Sequence, residues 1–146
     1  MKIKLSFFLL LTLFSSLISA AELINLSNKE LIDLQKNQNA LIVDIRTERE
    51  WNSTGTIPNS HKLQFFSPRG KYDTEKWLAD LNKLKTSKDQ AIILVCQSGN
   101  RSGRLGNMLT KQLGMENVHH LSNGMMSWVR AGNETNIKCP TQFACK

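Results

Sequence analysis

The chain has 146 residues and a formal net charge of +7 at pH 7, with 19 Lys and Arg against 12 Asp and Glu. This length fits one domain with a single hydrophobic core. The basic residues are scattered, without a Lys/Arg block, so they predict a solvated surface that attracts small anions rather than a nucleic-acid partner. There is no heptad pattern and no second apolar face, and we therefore expect a monomer.

Residues 1–21 have the pattern of a secretory signal peptide. Lys2 and Lys4 form a basic start, residues 5–17 are apolar, and small residues follow at a cleavage point after Ala20 or the next residue. The apolar run is short for a membrane span. We therefore expect a periplasmic protein with no stable membrane insertion after cleavage, with an uncleaved anchor as the alternative.

After residue 21, strand-like runs alternate with helix-like patterns. Ser27 and Thr47 each begin a capping box, in which Glu follows three residues later, and Asp73 is placed to cap a third helix. The nearly continuous apolar runs 40–45 and 91–95 are typical of strands that are covered on both faces of a parallel sheet. In chain order we predict a strand at 23–26, a helix at 27–36, a strand at 40–45, a helix from 47, a weaker strand at 61–66, a helix at 73–85, a strand at 91–95, a helix with apolar spacing 105, 108, 109 and 113, a strand at 118–121 and a helix at 125–129.

This alternation predicts a single α/β domain over residues 22–132. We expect a mainly parallel central sheet of about five strands, with helices on both faces. Residues 133–146 form a polar tail in this interpretation. In parallel sheets the ligand site lies at the carboxyl ends of the strands, and the strand at 91–95 ends at a cysteine.

Cys96 begins the stretch around which the chain is organised. Four residues separate it from Arg101, and a helical pattern follows. A strand that opens through a tight loop into a helix brings backbone N–H groups together, and this arrangement favours a thiolate over a thiol. Cys96 is therefore the candidate nucleophile, although an ordinary buried cysteine is the alternative. The candidate anion-binding loop consists of Gln97, Ser98, Gly99, Asn100, Arg101 and Ser102.

Other polar residues are candidates for supporting roles. Asp44 and Arg46 lie on the same face of an extended segment and are expected to tie the strand end together. Arg69, in a basic turn-rich loop, is a candidate for the rim of the site, whereas Arg104 is expected at the surface. The histidines have no acidic or Cys partners at metal-ligand spacing, so we predict neither a metal site nor a cofactor. His119 and His120 are predicted to lie on opposite faces of a short strand.

The two remaining cysteines lie close together in the tail. Cys139 and Cys145 flank a short segment, and in an oxidising compartment their spacing indicates a disulfide that leaves Cys96 as the unpaired thiol. The functional alternative is that one tail cysteine resolves an oxidised or sulfur-loaded Cys96. Both interpretations stay open at the level of sequence.

Several motifs follow one another in a characteristic order: 41–47 with Glu50, 55–58, 95–103, 114–118, Leu121, Gly124 and Trp128. In this order they resemble a rhodanese domain, and the resemblance spans residues 23–132. The cysteine loop is its most specific part. As a secreted protein with a single domain, the predicted chain is similar to the periplasmic thiosulfate sulfurtransferases of the phage-shock type.

The resemblance implies that Cys96 takes sulfane sulfur from thiosulfate as a persulfide and passes it to a thiophilic acceptor such as cyanide or a thiol. It leaves two roles open for Arg101, which are to bind the oxygens of sulfite or to hydrogen-bond the loop's own carbonyls. One alternative function is a non-enzymatic module that carries sulfur for a partner protein or binds it. The other is a phosphatase or arsenate reductase, whose related loops typically have five residues between Cys and Arg.

Overall fold

A computed structural model describes residues 21–137 and contains a five-stranded parallel sheet with five α-helices. The elements are β1 (Ile24–Leu26), α1 (Asn28–Gln38), β2 (Leu41–Asp44), α2 (Glu48–Thr54), β3 (His61–Lys62), α3 (Thr74–Leu84), β4 (Ile92–Val95), α4 (Asn100–Asn107), a π-helical segment (Met108–Gln112), β5 (Val118–Leu121) and α5 (Gly124–Arg130). The strand order is β1-β5-β4-β2-β3, so β4, the strand that leads into Cys96, lies in the middle of the sheet. This architecture confirms the predicted α/β class.

Local sequence signals account for where the first helices begin. Ser27 and Thr47 each accept a hydrogen bond from the backbone N–H of a Glu three residues later, and that Glu accepts one in return. Asp73 caps α3 by accepting a hydrogen bond from the backbone N–H of Lys76. These bonds satisfy N–H groups that have no partner within the helix, so three predicted helix starts are confirmed.

The core lies on both faces of the sheet because β2 and β4 are buried along their whole length. One face packs against α3 and α4, through Trp77, Leu81 and Leu105, and the other packs against α1 and α5, through Leu31 and Trp128. Helices therefore cover both faces, as the continuous apolar runs predict.

Two predicted elements differ from the structure. The strand expected at 61–66 is limited to His61–Lys62, because its neighbour β2 ends at Asp44, although Leu63 and Phe65 still donate N–H groups to Asp44 O and Ile45 O. The helix expected to continue to residue 113 changes to a π-helix after Asn107, where Leu113 donates its N–H to Met108 O. This change rotates the last turn and leaves Leu113 47% exposed, so its predicted place on the apolar stripe is wrong.

The signal peptide predicted for 1–21 and the two tail cysteines, Cys139 and Cys145, lie outside the described residues, apart from Ala21. Within residues 21–137 no helix combines the length and the apolarity needed to cross a bilayer. The start of the predicted tail contacts the domain. Trp128 donates its indole N–H to Glu134 O at 2.8 Å, and Asn136 donates its backbone N–H to Thr56 O at 2.8 Å.

Candidate active site

The candidate site lies where β4 ends, at the carboxyl edge of the parallel sheet. Cys96 follows Val95 directly, and α4 begins only four residues later, at Asn100. Asn100, Arg101 and Ser102 therefore form the first turn of α4, whereas the sequence assigns them to the loop. The connection from Gln97 to Gly99 is tighter than predicted, and it brings the sulfur close to the helix N-terminus.

Three hydrogen-bonding groups converge on the Cys96 sulfur. The backbone N–H groups of Gly99 and Ser102 donate to Sγ at 3.2 and 3.4 Å, and Ser102 Oγ lies 3.3 Å from Sγ. The residue is 0% exposed. Donors aimed at a buried sulfur stabilise a negative charge there, and a cysteine that serves only to fill the core has no need of them. This geometry favours the nucleophile over the structural cysteine.

Two further N–H groups are available near the sulfur. Within residues 21–137, the backbone N–H groups of Asn100 and Arg101 have no hydrogen-bond acceptor. They are the unpaired donors of the first helical turn, and the helix dipole adds a partial positive charge at the same place. The arrangement can hold a small anion above Cys96.

Two glycines fix the shape of the connection. Gly99 has φ +89°, and a Cβ on it would lie 1.8 Å from Ser122 O. Gly124 has φ +56°, and a Cβ on it would lie 2.4 Å from Cys96 O. The first turn of α5 reaches the same carbonyl, since Met125 donates its N–H to Cys96 O at 2.9 Å. The loop is held between β5 and α5, and glycine is required at both close approaches.

Arg101 forms an ion pair with Glu50 of α2. Its Nη1 and Nη2 donate to the two carboxylate oxygens at 3.0 and 2.5 Å. Burial alone would raise the pKa of Glu50, but the hydrogen bonds from Arg101 and Thr47 outweigh burial and lower the pKa to about 2. The hydrogen bond from Glu50 raises the pKa of Arg101, despite the opposing effect of burial. The sequence predicts either sulfite oxygens or loop carbonyls as the partners of Arg101. Glu50 is a third partner that this prediction omits, and it fixes the guanidinium beside the loop.

Asp44 and Arg46 form a fully buried pair that supports the loop from below. Arg46 Nη2 donates to Asp44 Oδ2 at 2.7 Å, and both side chains are 0% exposed. The remaining guanidinium protons go to Gly55 O at 2.6 Å, Thr54 Oγ1 at 2.7 Å and Gln97 Oε1 at 3.3 Å. Arg46 therefore joins β2, the end of α2 and the cysteine loop, which supports the predicted structural role.

A cavity of about 790 Å³ opens beside the loop. Arg104, expected at the surface, is exposed but also lines this cavity, where its guanidinium lies 5.5 Å from the centroid of the Phe66 ring. Arg69, expected at the rim, is exposed and does not line it. The other lining residues that bear on the site are Asn25, Phe65, Tyr72, Gly99, Asn100, His120 and Ser122.

His120 is the site residue whose role the sequence does not reveal. Its Nδ1 lies 3.1 Å from Ser102 Oγ, and its Nε2 lies 2.5 Å from Asn25 Oδ1. Burial lowers the pKa of both His120 and His119. His119 Nδ1 has no hydrogen-bond partner within residues 21–137, and the ring contributes to a different cavity, so the two histidines face opposite sides as predicted. The partners of His120 come from β1 and α4, which are distant in sequence, and no local signal identifies them.

No group of three or more His, Cys, Asp and Glu side chains with metal-binding geometry occurs in the described part of the chain. The chemistry of the donor set around Cys96, made of amides, a hydroxyl and a guanidinium, fits an anion rather than a metal ion.

Comparisons with known proteins agree with this fold. Residues 27–131 match the model of the rhodanese-like domain. An uncharacterized protein of Rickettsia rickettsii is 35% identical over 102 residues, which cover 67% of this chain and 79% of that protein. The polysulfide-sulfur transferase homodimer of Wolinella succinogenes is similar in structure, with a TM-score of 0.62, 19% identity and 82% of each chain covered. A Rhodopseudomonas palustris protein of unknown function, described as a possible tyrosine phosphatase, has a TM-score of 0.58 and 24% identity, over 78% of this chain and 85% of that one.

Proposed function

The chain belongs to the rhodanese-like domain family, and from this premise we propose that it is a sulfurtransferase that carries sulfane sulfur on Cys96. The observation that supports the proposal most strongly is the convergence of Gly99 N–H, Ser102 N–H and Ser102 Oγ on Sγ. The two backbone N–H donors favour a thiolate, which is the form of cysteine that attacks sulfur. The same groups stabilise a persulfide, whose terminal sulfur carries a negative charge.

The proposed cycle has two half-reactions. The Cys96 thiolate attacks the outer sulfur of thiosulfate, a Cys96–sulfur bond forms, and the sulfur–sulfur bond of thiosulfate breaks to release sulfite. A thiophile such as cyanide then attacks the terminal sulfur of the persulfide and leaves as thiocyanate, which restores the thiolate. In the first step the electron pair of the broken sulfur–sulfur bond leaves with sulfite, and in the second step it returns to the Cys96 sulfur. The cycle therefore needs no cofactor and no external oxidant.

The surroundings of Cys96 are compatible with a small anionic donor. The free N–H groups of Asn100 and Arg101 lie at the positive end of α4, and Arg104 adds a cation in the neighbouring cavity. Thiosulfate and polysulfide are both slender anions that can bring one sulfur atom to a buried thiol. Because Cys96 is 0% exposed, we expect such donors to react faster than bulky ones.

The phosphatase alternative receives less support. Four residues separate Cys96 from Arg101, and phosphatase and arsenate reductase loops typically have five. The first-turn guanidinium is also committed to Glu50. A shorter loop that places two amides directly on the sulfur suits a sulfur atom better than a tetrahedral oxyanion.

The test is a turnover assay with matched donors and variants. Thiosulfate and polysulfide are each supplied with cyanide, and thiocyanate is measured for the wild type, Cys96→Ser and Arg69→Ala; an aryl phosphate is tested in parallel. We expect thiocyanate from the wild type and Arg69→Ala, none from Cys96→Ser, and no phosphate release. Turnover in Cys96→Ser, or phosphate release without sulfur transfer, would contradict the proposal. Sulfur bound to Cys96 without release to cyanide would favour the carrier module.

We also propose that the protein is exported to the periplasm and acts there as a monomer. The basic start, the apolar run and the small residues of 1–21 support export. Fractionation of cells followed by the mass of the periplasmic form tests cleavage after Ala20 or Ala21. Light scattering at several concentrations tests the oligomeric state, and a dimer mass would overturn that part of the proposal.

A further inference from the structure

We infer that Ser102, His120 and Asn25 form a proton relay that removes the proton from Cys96, with Ser102 in contact with the reacting sulfur and His120 acting as a positioning residue through it. This inference rests on the proposed use of Cys96 as a nucleophile. It assigns a role to a buried histidine that the two half-reactions do not use.

The relay is a continuous chain of hydrogen-bonding atoms. Cys96 Sγ lies 3.3 Å from Ser102 Oγ, Ser102 Oγ lies 3.1 Å from His120 Nδ1, and His120 Nε2 lies 2.5 Å from Asn25 Oδ1. Ser102 is 0% exposed and His120 is 6% exposed. The chain begins at a buried thiol in the middle of the sheet and ends at the cavity that His120 and Asn25 line.

The two ends of the chain set its direction. An amide oxygen accepts hydrogen bonds and cannot donate them, so Asn25 Oδ1 places the proton of neutral His120 on Nε2. Nδ1 is then a bare acceptor that faces Ser102 Oγ. The Ser102 hydroxyl also has Gly99 O as an acceptor, at 3.0 Å, and it can turn from that carbonyl to the imidazole.

The proton balance follows from this tautomer. The Cys96 S–H bond breaks as Ser102 Oγ takes the proton, and the Ser102 hydroxyl proton passes to His120 Nδ1. The products are a thiolate, an intact serine hydroxyl that donates to the sulfur, and an imidazolium that donates to Ser102 Oγ. No electron leaves the system, and the positive charge lies one hydroxyl away from the new negative charge.

The charged groups near His120 do not compete with the relay. The hydrogen-bond partners of its ring are Ser102 from α4 and Asn25 from β1, and neither side chain is ionisable near neutral pH. Arg104 lines the same cavity, and Cys96 is the titratable group at the other end. Burial lowers the pKa of His120, which favours the neutral ring as the resting form, so the imidazolium forms only as the partner of the Cys96 thiolate.

The first test reads the tautomer directly. Nitrogen-15 NMR of the full chain at neutral pH should show His120 protonated on Nε2 and bare on Nδ1. A proton on Nδ1 would overturn the proposal, because that nitrogen could not accept the Ser102 proton. This measurement uses the wild type and does not depend on any sulfur donor, so it separates failure of the relay from failure of the proposed sulfur transfer.

The second test reads the pH dependence of Cys96 reactivity. The rate of Cys96 alkylation by iodoacetamide is followed by peptide mass spectrometry for the wild type, His120→Gln, Ser102→Ala and the matched control His119→Gln. In the wild type the alkylation rate should fall at low pH, along the acid limb of the rate profile. Loss of the relay in His120→Gln or Ser102→Ala should move this acid limb to higher pH by at least about one unit, so that at a given pH on the limb the variant reacts about tenfold more slowly. The rate of His120→Gln should recover as the pH rises and the thiol ionises without help.

His119→Gln removes a buried histidine from the same strand but not from the chain of hydrogen bonds, so its acid limb should stay in place. A purely structural role for His120 would slow the reaction equally at every pH, and this result would contradict the relay. An equal shift in His119→Gln would contradict it too.

Discussion

The buried Asp44–Arg46 pair gives a stability prediction whose magnitude follows from its surroundings. Asp44 accepts four hydrogen bonds from Arg46, and both side chains are 0% exposed. Asp44→Asn preserves the shape but removes the charge and directs an amide NH₂ toward the guanidinium. Breaking one partner of a buried pair costs about 3–5 kcal/mol, because the other charge stays buried without compensation. This is a large part of the roughly 5–15 kcal/mol that stabilises a domain.

The assay is urea unfolding followed by tryptophan fluorescence, with Asp80→Asn as the matched control. Asp80 pairs at the surface with Lys76 and Lys83, so the same chemical change there should cost less than about 1 kcal/mol. The double replacement Asp44→Leu with Arg46→Met removes both charges and should recover part of the loss. Equal destabilisation by Asp44→Asn and Asp80→Asn would refute the reasoning.

Three further predictions concern the residues around the loop. The pKa of Glu50 is lowered from 4.5 to about 2, so its charge stabilises the fold above pH 4.5, and this contribution is lost as the pH falls toward 2. The difference in urea midpoint between the wild type and Glu50→Gln should therefore have its largest value near about pH 6 and vanish near pH 2. Gly99→Ala should abolish sulfur transfer and destabilise the fold, because the added Cβ would lie 1.8 Å from Ser122 O. The control Gly70→Ala, where the Cβ has open space and φ is +75°, should cost about 1 kcal/mol of stability and retain sulfur transfer. Urea unfolding and the thiocyanate assay measure the two effects. Arg101→Lys should raise the KM for thiosulfate by about tenfold, since lysine cannot hold Glu50 with two parallel bonds, whereas Arg69→Lys should leave the KM unchanged.

The parts of the fold that local patterns control follow from the sequence. The capping boxes at Ser27 and Thr47 mark their helices, and the continuous apolar runs give the buried parallel strands β2 and β4. The position of Cys96 at a strand end is also predictable, because apolar periodicity stops there abruptly. Capping and burial depend on residues a few positions apart, which is why a single sequence shows them.

The partners of the site residues depend on sheet order, and local patterns do not specify sheet order. Glu50 and Arg101 are 51 residues apart, and Asn25 and His120 are 95 residues apart. The second pair meets only because β1 lies beside β5 at the edge of the sheet. Arg104 is exposed, as predicted, but its place at the cavity does not follow from local patterns, since the Phe66 ring that it covers comes from a loop distant in sequence.

The central claim is that sulfur is carried on Cys96, and the intact mass of the protein before and after incubation with thiosulfate tests it most directly. The account predicts a gain of one sulfur atom, located on the Cys96 peptide, removed by cyanide and absent in Cys96→Ser. A sulfur atom on another residue, or the same gain in Cys96→Ser, would contradict it.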